Sequence, residues 1–383
     1  MHSKNPIKLA LGSVSLIQPV TGIGQYTLNL SHRLADIYNL DINYFYGYEW
    51  SSLGVPKNSP KMSFFKKILK ELMPRPYEVN RVIQQHAFNA GVKAFKPAIY
   101  HEPSFLPLEF DGPTVITVHD LSHIRFPEAH PKERVAILDR RLPNAIDRAD
   151  CILTDSFFTK SEILAEFAVE QDKVRVAHLG VSKYFYPRGI VDSQRSIEKY
   201  KLKHSRYMIA VGTLEPRKNL IQAIRAYASL PPAFAKNFPL VIVGARGWKE
   251  QLFMKELAPL IEDGRAYILG YVPVSDLPFL YSAACALIYP SVYEGFGLPP
   301  LEAMACGTSV ITTNKSSIPE VVGCVGFMVE PGDVDATVFA IMNFCEDASF
   351  SPSQVCVQQA AKFSWDKCAQ QTYDAYLHVL DNA

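Results

Sequence analysis

No stretch of this 383-residue chain is apolar for long enough to cross a membrane, which takes about 20 such residues in a helix. An excess of either charge is also missing. Thirty-nine Lys and Arg face 38 Asp and Glu, giving a net charge of +1, so no global field recommends nucleic acid as the main partner and electrostatic binding must be local. There is no C-x-x-C pair among seven scattered cysteines, an odd count that suits buried reduced thiols in the cytoplasm better than disulfides or zinc. The first twenty residues, broken by Gly12 and Pro19, have no continuous apolar segment with a cleavage site and read as mature protein. Short-period repeats and low-complexity tracts are absent. A content of 48% hydrophobic and 20% charged residues argues against disorder over most of the length.

What the chain does have is alternation. Its length exceeds a comfortable single core, and short apolar runs alternate with helical patterns almost throughout, the signature of parallel strands joined by crossover helices. Strands are expected at 7–12, 41–46, 98–101, 114–119, 151–155 and 174–178, then at 207–211, 240–244, 266–269, 286–289 and 309–312. Between the two sets, residues 186–206 turn polar and lose periodicity, as a linker would. The expected fold class is α/β: two Rossmann-like α/β/α domains with parallel sheets facing across a cleft. The domains run from 1–190 and 191–365, with a helix at 366–383 returning toward the first. In such folds ligands lie beyond the carboxyl ends of the strands, so residues just after each strand are the candidates.

The most informative stretch is Tyr289-Pro-Ser-Val-Tyr-Glu-Gly-Phe-Gly-Leu-Pro-Pro-Leu-Glu, which places Glu294 and Glu302 eight residues apart around a loop and a helix start. Gly295 and Gly297 let backbone N–H groups approach an anion, and Pro299 and Pro300 suit a first helical turn whose N-terminus favours phosphate. Glu302 could accept two hydroxyl hydrogen bonds, as a ribose diol offers. Either glutamate alone is equally well read as a carboxylate near the positive end of a helix dipole. The combined segment is specific.

That segment resembles the E-x7-E signature of family 4 glycosyltransferases, retaining enzymes of the GT-B fold, and the likeness extends over most of the chain. Val211-Gly-Thr-Leu-Glu-Pro-Arg-Lys-Asn-Leu is similar to the family's basic phosphate motif, which implies that Arg217 and Lys218 hold the diphosphate of a nucleotide-sugar. One unit charge pair near 4 Å is worth roughly 4 kcal/mol at an effective dielectric of 20, so two cations could stand in for a metal. Many members carry Arg where this chain has Thr213, which shifts weight onto Arg217 and leaves Thr213 a candidate donor contact. Gly22-Ile-Gly-Gln-Tyr-Thr resembles the N-terminal glycine loop, so Gly22 and above all Gly24 would close over the diphosphate. A dinucleotide-binding loop would need Gly or Ala at position 27, where Thr27 stands.

The resemblance extends to His119 and Asp120, which match an H-D pair expected to contact the transferred sugar or the acceptor. Weaker echoes mark Thr154-Asp-Ser156, with Ser156 as a sugar or acceptor contact, Val243-Gly-Ala-Arg-Gly-Trp, and a base-reading segment with Tyr271, Val272 and Leu277. Phe296 and Leu298 complete the expected donor-binding stretch. Asp333-Val-Asp335 is read as a helix cap and not as a metal-binding D-x-D. With no credible metal spacing elsewhere, neither metal nor other cofactor is expected; the nucleotide-sugar is a co-substrate.

The resemblance implies transfer of a hexose, most of all mannose from GDP-mannose, to a saccharide or lipid-linked saccharide during surface polysaccharide synthesis. His119, Arg217, Lys218 and Glu294 are the catalytic candidates. Residue spacing leaves a UDP-sugar open, and the reading has rivals in a GT-B epimerase or phosphorylase and a non-catalytic nucleotide-sugar-binding subunit. Residues 61–73 put Phe64, Phe65, Ile68, Leu69, Leu72 and Met73 on one helical face, with Lys66, Lys67 and Lys70 opposite or beside it. Both an ordinary surface helix and an interfacial helix on anionic lipid fit that pattern. The expected location is cytoplasmic, and the interfacial alternative would add peripheral contact at the membrane's cytoplasmic face.

Overall fold

A computed structural model describes residues 6–17, 22–38, 40–54, 76–244, 250–346 and 353–383. The first sheet has seven strands: β1 Ile7–Gly12, β2 Leu40–Phe45, β3 Trp50–Ser51, β4 Ile99–Glu102, β5 Thr114–Thr117, β6 Cys151–Thr154 and β7 Val174–Val176. Their spatial order is β3-β2-β1-β4-β5-β6-β7, all parallel except the β2–β3 pair. The second sheet contains β8 Met208–Val211, β9 Leu240–Val243, β10 Ala266–Gly270, β11 Ala286–Tyr289, β12 Ser309–Thr313 and β13 Phe327–Val329. Its order, β10-β9-β8-β11-β12-β13, is that of a dinucleotide-binding Rossmann sheet.

Strands such as Thr114–Thr117, Cys151–Thr154, Leu240–Val243 and Ala286–Tyr289 are buried at every residue, because helices cover both faces of a parallel sheet. This explains why they read as continuous apolar runs. Two strands escaped that reading, the two-residue β3 and the half-buried β13. The polar stretch after residue 186 is not an irregular linker throughout: Ile190–Ile197 is helical, with only Ser193 and Ile197 buried.

The helices that frame the cleft are α1 (Gly22–Ile37), α2 (Pro76–Phe95), α3 (Lys132–Arg148), α4 (Phe157–Glu166), α5 (Leu298–Ala305), α6 (Ile318–Val322) and α7 (Trp365–Asp381). Although α7 follows the second sheet, it packs on α1. Tyr373 stacks on Tyr38 with centroids 4.2 Å apart, and Tyr376 hydrogen-bonds through its hydroxyl with Nδ1 of buried His101 at 2.6 Å. The chain passes back beside Gly180, where a Cβ would lie 2.0 Å from the backbone nitrogen of Trp365. One apolar cluster accordingly includes Leu9 and Tyr26 from the first half and Phe296 and Leu301 from the second.

Candidate functional site

In each sheet the strand order reverses beside the first strand, between β1 and β4 and between β8 and β11, and such a switch point opens a crevice at the carboxyl edge. In the second sheet, Gly212–Lys218 leaves β8 and Pro290–Gly297 leaves β11, so the basic motif and the glutamate motif meet at that edge. Asn219, with φ of 49°, ends the short turn after Lys218, and Gly297, with φ of 112°, takes a left-handed conformation to start α5.

Glu294 is the hub. Its Oε1 accepts from Lys218 Nζ at 2.5 Å, Ser291 Oγ at 2.6 Å and Tyr289 Oη at 2.7 Å, while Oε2 faces Arg217 Nη1 at 3.3 Å. Burial alone would raise this carboxyl's pKa, but Lys218, Arg217 and the hydrogen bonds reverse the effect and hold it at about 2. Arg217 also pairs with Glu215 at 2.8 Å and donates to the Tyr293 carbonyl at 3.2 Å, yet its buried Nε has no partner among the described residues. Tyr289 and Ser291 were quoted in the sequence motif without a role. They stand at and just beyond the end of β11, two residues apart, and a hydroxyl alternation at a strand end was the available signal.

Glu302 is in a different state. It is half-buried on α5, the one hydrogen-bond partner of its carboxyl among the described residues is the Tyr281 hydroxyl at 3.3 Å, and burial pushes its pKa up to about 8. A carboxylate so poorly partnered has room for further donors.

His119, expected to contact the sugar or the acceptor, has its ring held by the protein. Its Nε2 donates to the Pro103 carbonyl at 2.9 Å and its Nδ1 meets Asp155 Oδ2 at 2.7 Å, so neither ring nitrogen is free. Burial opposes a charged ring, but the Asp155 carboxylate outweighs it and raises the pKa. Asp120 turns back on its own chain, accepting from the Ser122 backbone at 2.9 Å and the Ser122 hydroxyl at 2.6 Å. Burial would raise its carboxyl, yet Arg217 and Ser122 bring it below the usual range.

Ser156 and Gly295 prove to join the domains. Ser156 caps α4 and donates to the Gly295 carbonyl at 2.7 Å. A Cβ at Gly295 would lie 2.0 Å from the His119 carbonyl oxygen, so this glycine lets the loop after β11 press against the first domain. Its carbonyl is committed to that contact, also accepting from the Thr159 hydroxyl at 3.3 Å, a use the sequence reading did not contain. Tyr293 crosses the same boundary, accepting from the Leu121 backbone at 2.9 Å and donating to Glu162 Oε2 at 2.5 Å. Glu320 of α6 accepts from the first backbone N–H of α4 at 3.0 Å and pairs with His178 at 2.5 Å.

The remaining candidates separate by position. Gly22 and Gly24 belong to the first turn of α1 and not to a loop, so any anion there would meet helix N–H groups. Thr213 is exposed at the end of β8. Phe296 is buried, with its ring centroid 5.7 Å from Phe363; Leu298 is partly buried at the α5 start. Val272 is core, Tyr271 is largely exposed, and Leu277 begins a short helix packed on the core. Asp333 caps its helix by accepting from the Ala336 backbone at 2.9 Å. Among the described residues, no three His, Cys, Asp or Glu side chains gather as metal ligands, and no helix is long and apolar enough to cross a membrane. Residues 61–73 and 245–248 lie outside the described residues.

Two Rossmann-like domains that close over a basic pair and two glutamates at a switch point define the GT-B class of nucleotide-sugar enzymes. The chain belongs to the family 4 glycosyltransferases: residues 20–183 match the model described as Glycosyltransferase Family 4, and residues 192–363 match Glycosyl transferases group 1. It is 36% identical over 380 residues to an Escherichia coli protein named O-antigen chain mannosyltransferase B, covering 97% of this chain and 99% of that one. Among solved structures, sucrose-phosphate synthase from Thermosynechococcus elongatus superposes with a TM-score of 0.76 at 20% identity, covering 98% of this chain and 100% of that one. Anabaena Alr3699/HepE, solved with UDP and glucose, gives 0.70 at 18% identity over 97% and 99%.

Proposed function

We propose that the chain is a retaining, metal-independent mannosyltransferase that moves mannose from GDP-mannose to a saccharide or lipid-linked saccharide acceptor in surface polysaccharide synthesis. The observation that supports the transferred sugar and the pathway is the near full-length similarity to the O-antigen chain mannosyltransferase. Support for the chemistry comes from Arg217 and Lys218 at the switch point, one with an unsatisfied buried N–H.

In the proposed reaction, the acceptor hydroxyl attacks the anomeric carbon on the face from which the diphosphate departs. The bond from that carbon to phosphate oxygen breaks, a new bond to the acceptor oxygen forms, and the hydroxyl proton passes to a departing phosphate oxygen. Arg217 and Lys218 stabilise the negative charge gathering on the leaving group, a contribution that grows toward the transition state. Glu294 orients both cations and, when phosphate draws them away, is released toward the sugar. His119 acts through its backbone and its fixed ring, shaping the wall of the sugar pocket and not donating from a nitrogen. Glu302 takes the ribose diol. The enzyme works in the cytoplasm at the inner face of the membrane.

Purified protein incubated with GDP-mannose and a mannoside acceptor, with and without chelator, tests this reading. Transfer with retained anomeric configuration and undiminished rate in chelator is expected. An inverted product, activity restored only by divalent metal, or turnover of UDP-glucose in preference to GDP-mannose would refute the corresponding part.

A further inference from the structure

Beyond the donor cleft, the first domain carries three cavities in a row between α2 and α3. The first, of 450 Å³, is lined by Ile23, which lies between the two glycines of α1, and by Phe105, whose ring is edge-on to His119 with centroids 6.0 Å apart. It shares Leu106 with a second cavity of 640 Å³, and that one shares Gln85, Asn89, Phe110 and Arg148 with a third of 660 Å³. The shared walls make one groove that starts behind His119, at Phe105, and leads away along the domain surface.

Four of the arginines along this groove are already partnered, and the remaining lining charges, Arg134 and Lys93 against Glu133 and Asp111, are of both signs. Arg140 and Arg141 both pair with Glu78, Arg148 faces Glu109 at 3.7 Å, and Arg81 donates to the backbone carbonyls of Leu106 and Pro107. A phosphate would have to compete with those carboxylates. By contrast, His86 and Asn144 line the groove with side-chain donors and acceptors not engaged among the described residues. Aromatic rings at Tyr77, Phe105 and Phe110 interrupt the polar lining. Amide, imidazole and compensated guanidinium groups between apolar ring surfaces suit a neutral ligand that offers hydroxyls on its edges and C–H groups on its faces.

We infer that this groove binds a neutral oligosaccharide several units long, with the end to be extended at Ile23 and the chain running past Asn144 toward Arg148 and Ala90. The inference rests on the transferase reading above and adds that the enzyme extends a chain it grips at a distance from the reacting hydroxyl. Binding energy collected there orders the acceptor without contact to the donor.

Calorimetric binding of methyl α-mannoside and of α-linked mannose oligomers up to the pentamer, without donor, tests it. Affinity should rise by about tenfold or more from the single sugar to the pentamer. Ala90→Trp, an exposed helix position that would fill the outer cavity, and Asn144→Ala should each reduce that long-to-short ratio. Affinity independent of length, or a ratio untouched by both variants, would overturn the groove. If length-dependent binding persists while no mannose is transferred from GDP-mannose, the groove stands and the proposed reaction falls.

Discussion

Lys218 and Glu294 meet at 2.5 Å beyond two adjacent strands of the second sheet, with the Tyr289 hydroxyl bonded to both. The side chains are only 12% and 8% exposed, so each charge depends on the other to be tolerated there. The pair stands at the carboxyl edge of the sheet, where the proposed reaction puts the diphosphate. An anion drawing Lys218 away would leave Glu294 to Arg217 and to the Tyr289 and Ser291 hydroxyls.

Removing one member of this pair should therefore cost more than removing both. Lys218→Ala leaves a buried carboxylate with only Arg217 for charge and should destabilise the protein by about 3 kcal/mol, whereas adding Glu294→Gln should restore part of the loss. Urea unfolding of the two single variants and the double variant measures the coupling. Because Glu294 is held at about 2, its stabilisation is present above the ordinary carboxylate range and lost as pH falls toward 2. Wild type should show that acid loss and Glu294→Gln should lack it.

Glu302 carries the opposite sign. Its carboxyl, raised to about 8 by burial, is largely protonated at neutral pH before nucleotide binds. A ribose diol donating two hydrogen bonds would favour the ionised form, lower the pKa and expel a proton. Nucleotide affinity should rise with pH from the ordinary carboxylate range up to about 8 and then level off. Calorimetry in two buffers of different ionisation enthalpy should detect the released proton, and Glu302→Gln should abolish it. Binding without proton release at neutral pH would remove the ribose role.

His119 provides a third titration. With Nε2 donating to a carbonyl and Nδ1 against a carboxylate, the ring favours its charged form and its pKa is raised. The stability it contributes is complete below the ordinary histidine value and is lost as pH climbs through the raised one. Melting temperature should therefore decline as pH rises above the ordinary histidine range in wild type, and Asp155→Asn should flatten that decline. A histidine resonance titrating at the unperturbed value would contradict the pairing.

These pairings mark where the sequence stopped being informative. The strand at 286–289 was legible because burial on both faces makes every residue apolar, and the residues after it were legible as a site because a parallel sheet puts its crevice there. The two-residue β3 is too short to show alternation. The helix at Ile190–Ile197, with Ile190 and Val191 exposed, presents almost no apolar face to recognise. Arg217, Lys218 and Glu294 are singled out by their place after strand ends together with the resemblance of their segments to the family's motifs. The engagement of His119 could not be found that way, since Asp155 and the Pro103 carbonyl reach it from other strand ends. Nor could the use of Gly295, because the atom it makes room for is in the other domain.

Gly295 yields the most discriminating prediction. Nucleotide contacts are expected within the second domain, whereas transfer requires the loop after β11 to sit against His119 and Ser156 of the first. Gly295→Ala would place a methyl group 2.0 Å from the His119 carbonyl oxygen, a clash with backbone that no side-chain rotation relieves. The loop must retreat, weakening the Ser156 hydrogen bond and displacing Glu294, its neighbour, relative to the acceptor. A displacement near 1 Å at a reacting centre costs on the order of 100-fold in rate. Transfer rate should fall by that order while GDP affinity changes little. Ser156→Ala, which removes the bond without the clash, should lower the rate less. Equal loss of nucleotide binding and turnover in Gly295→Ala would show that the glycine serves the donor itself and not the contact between domains.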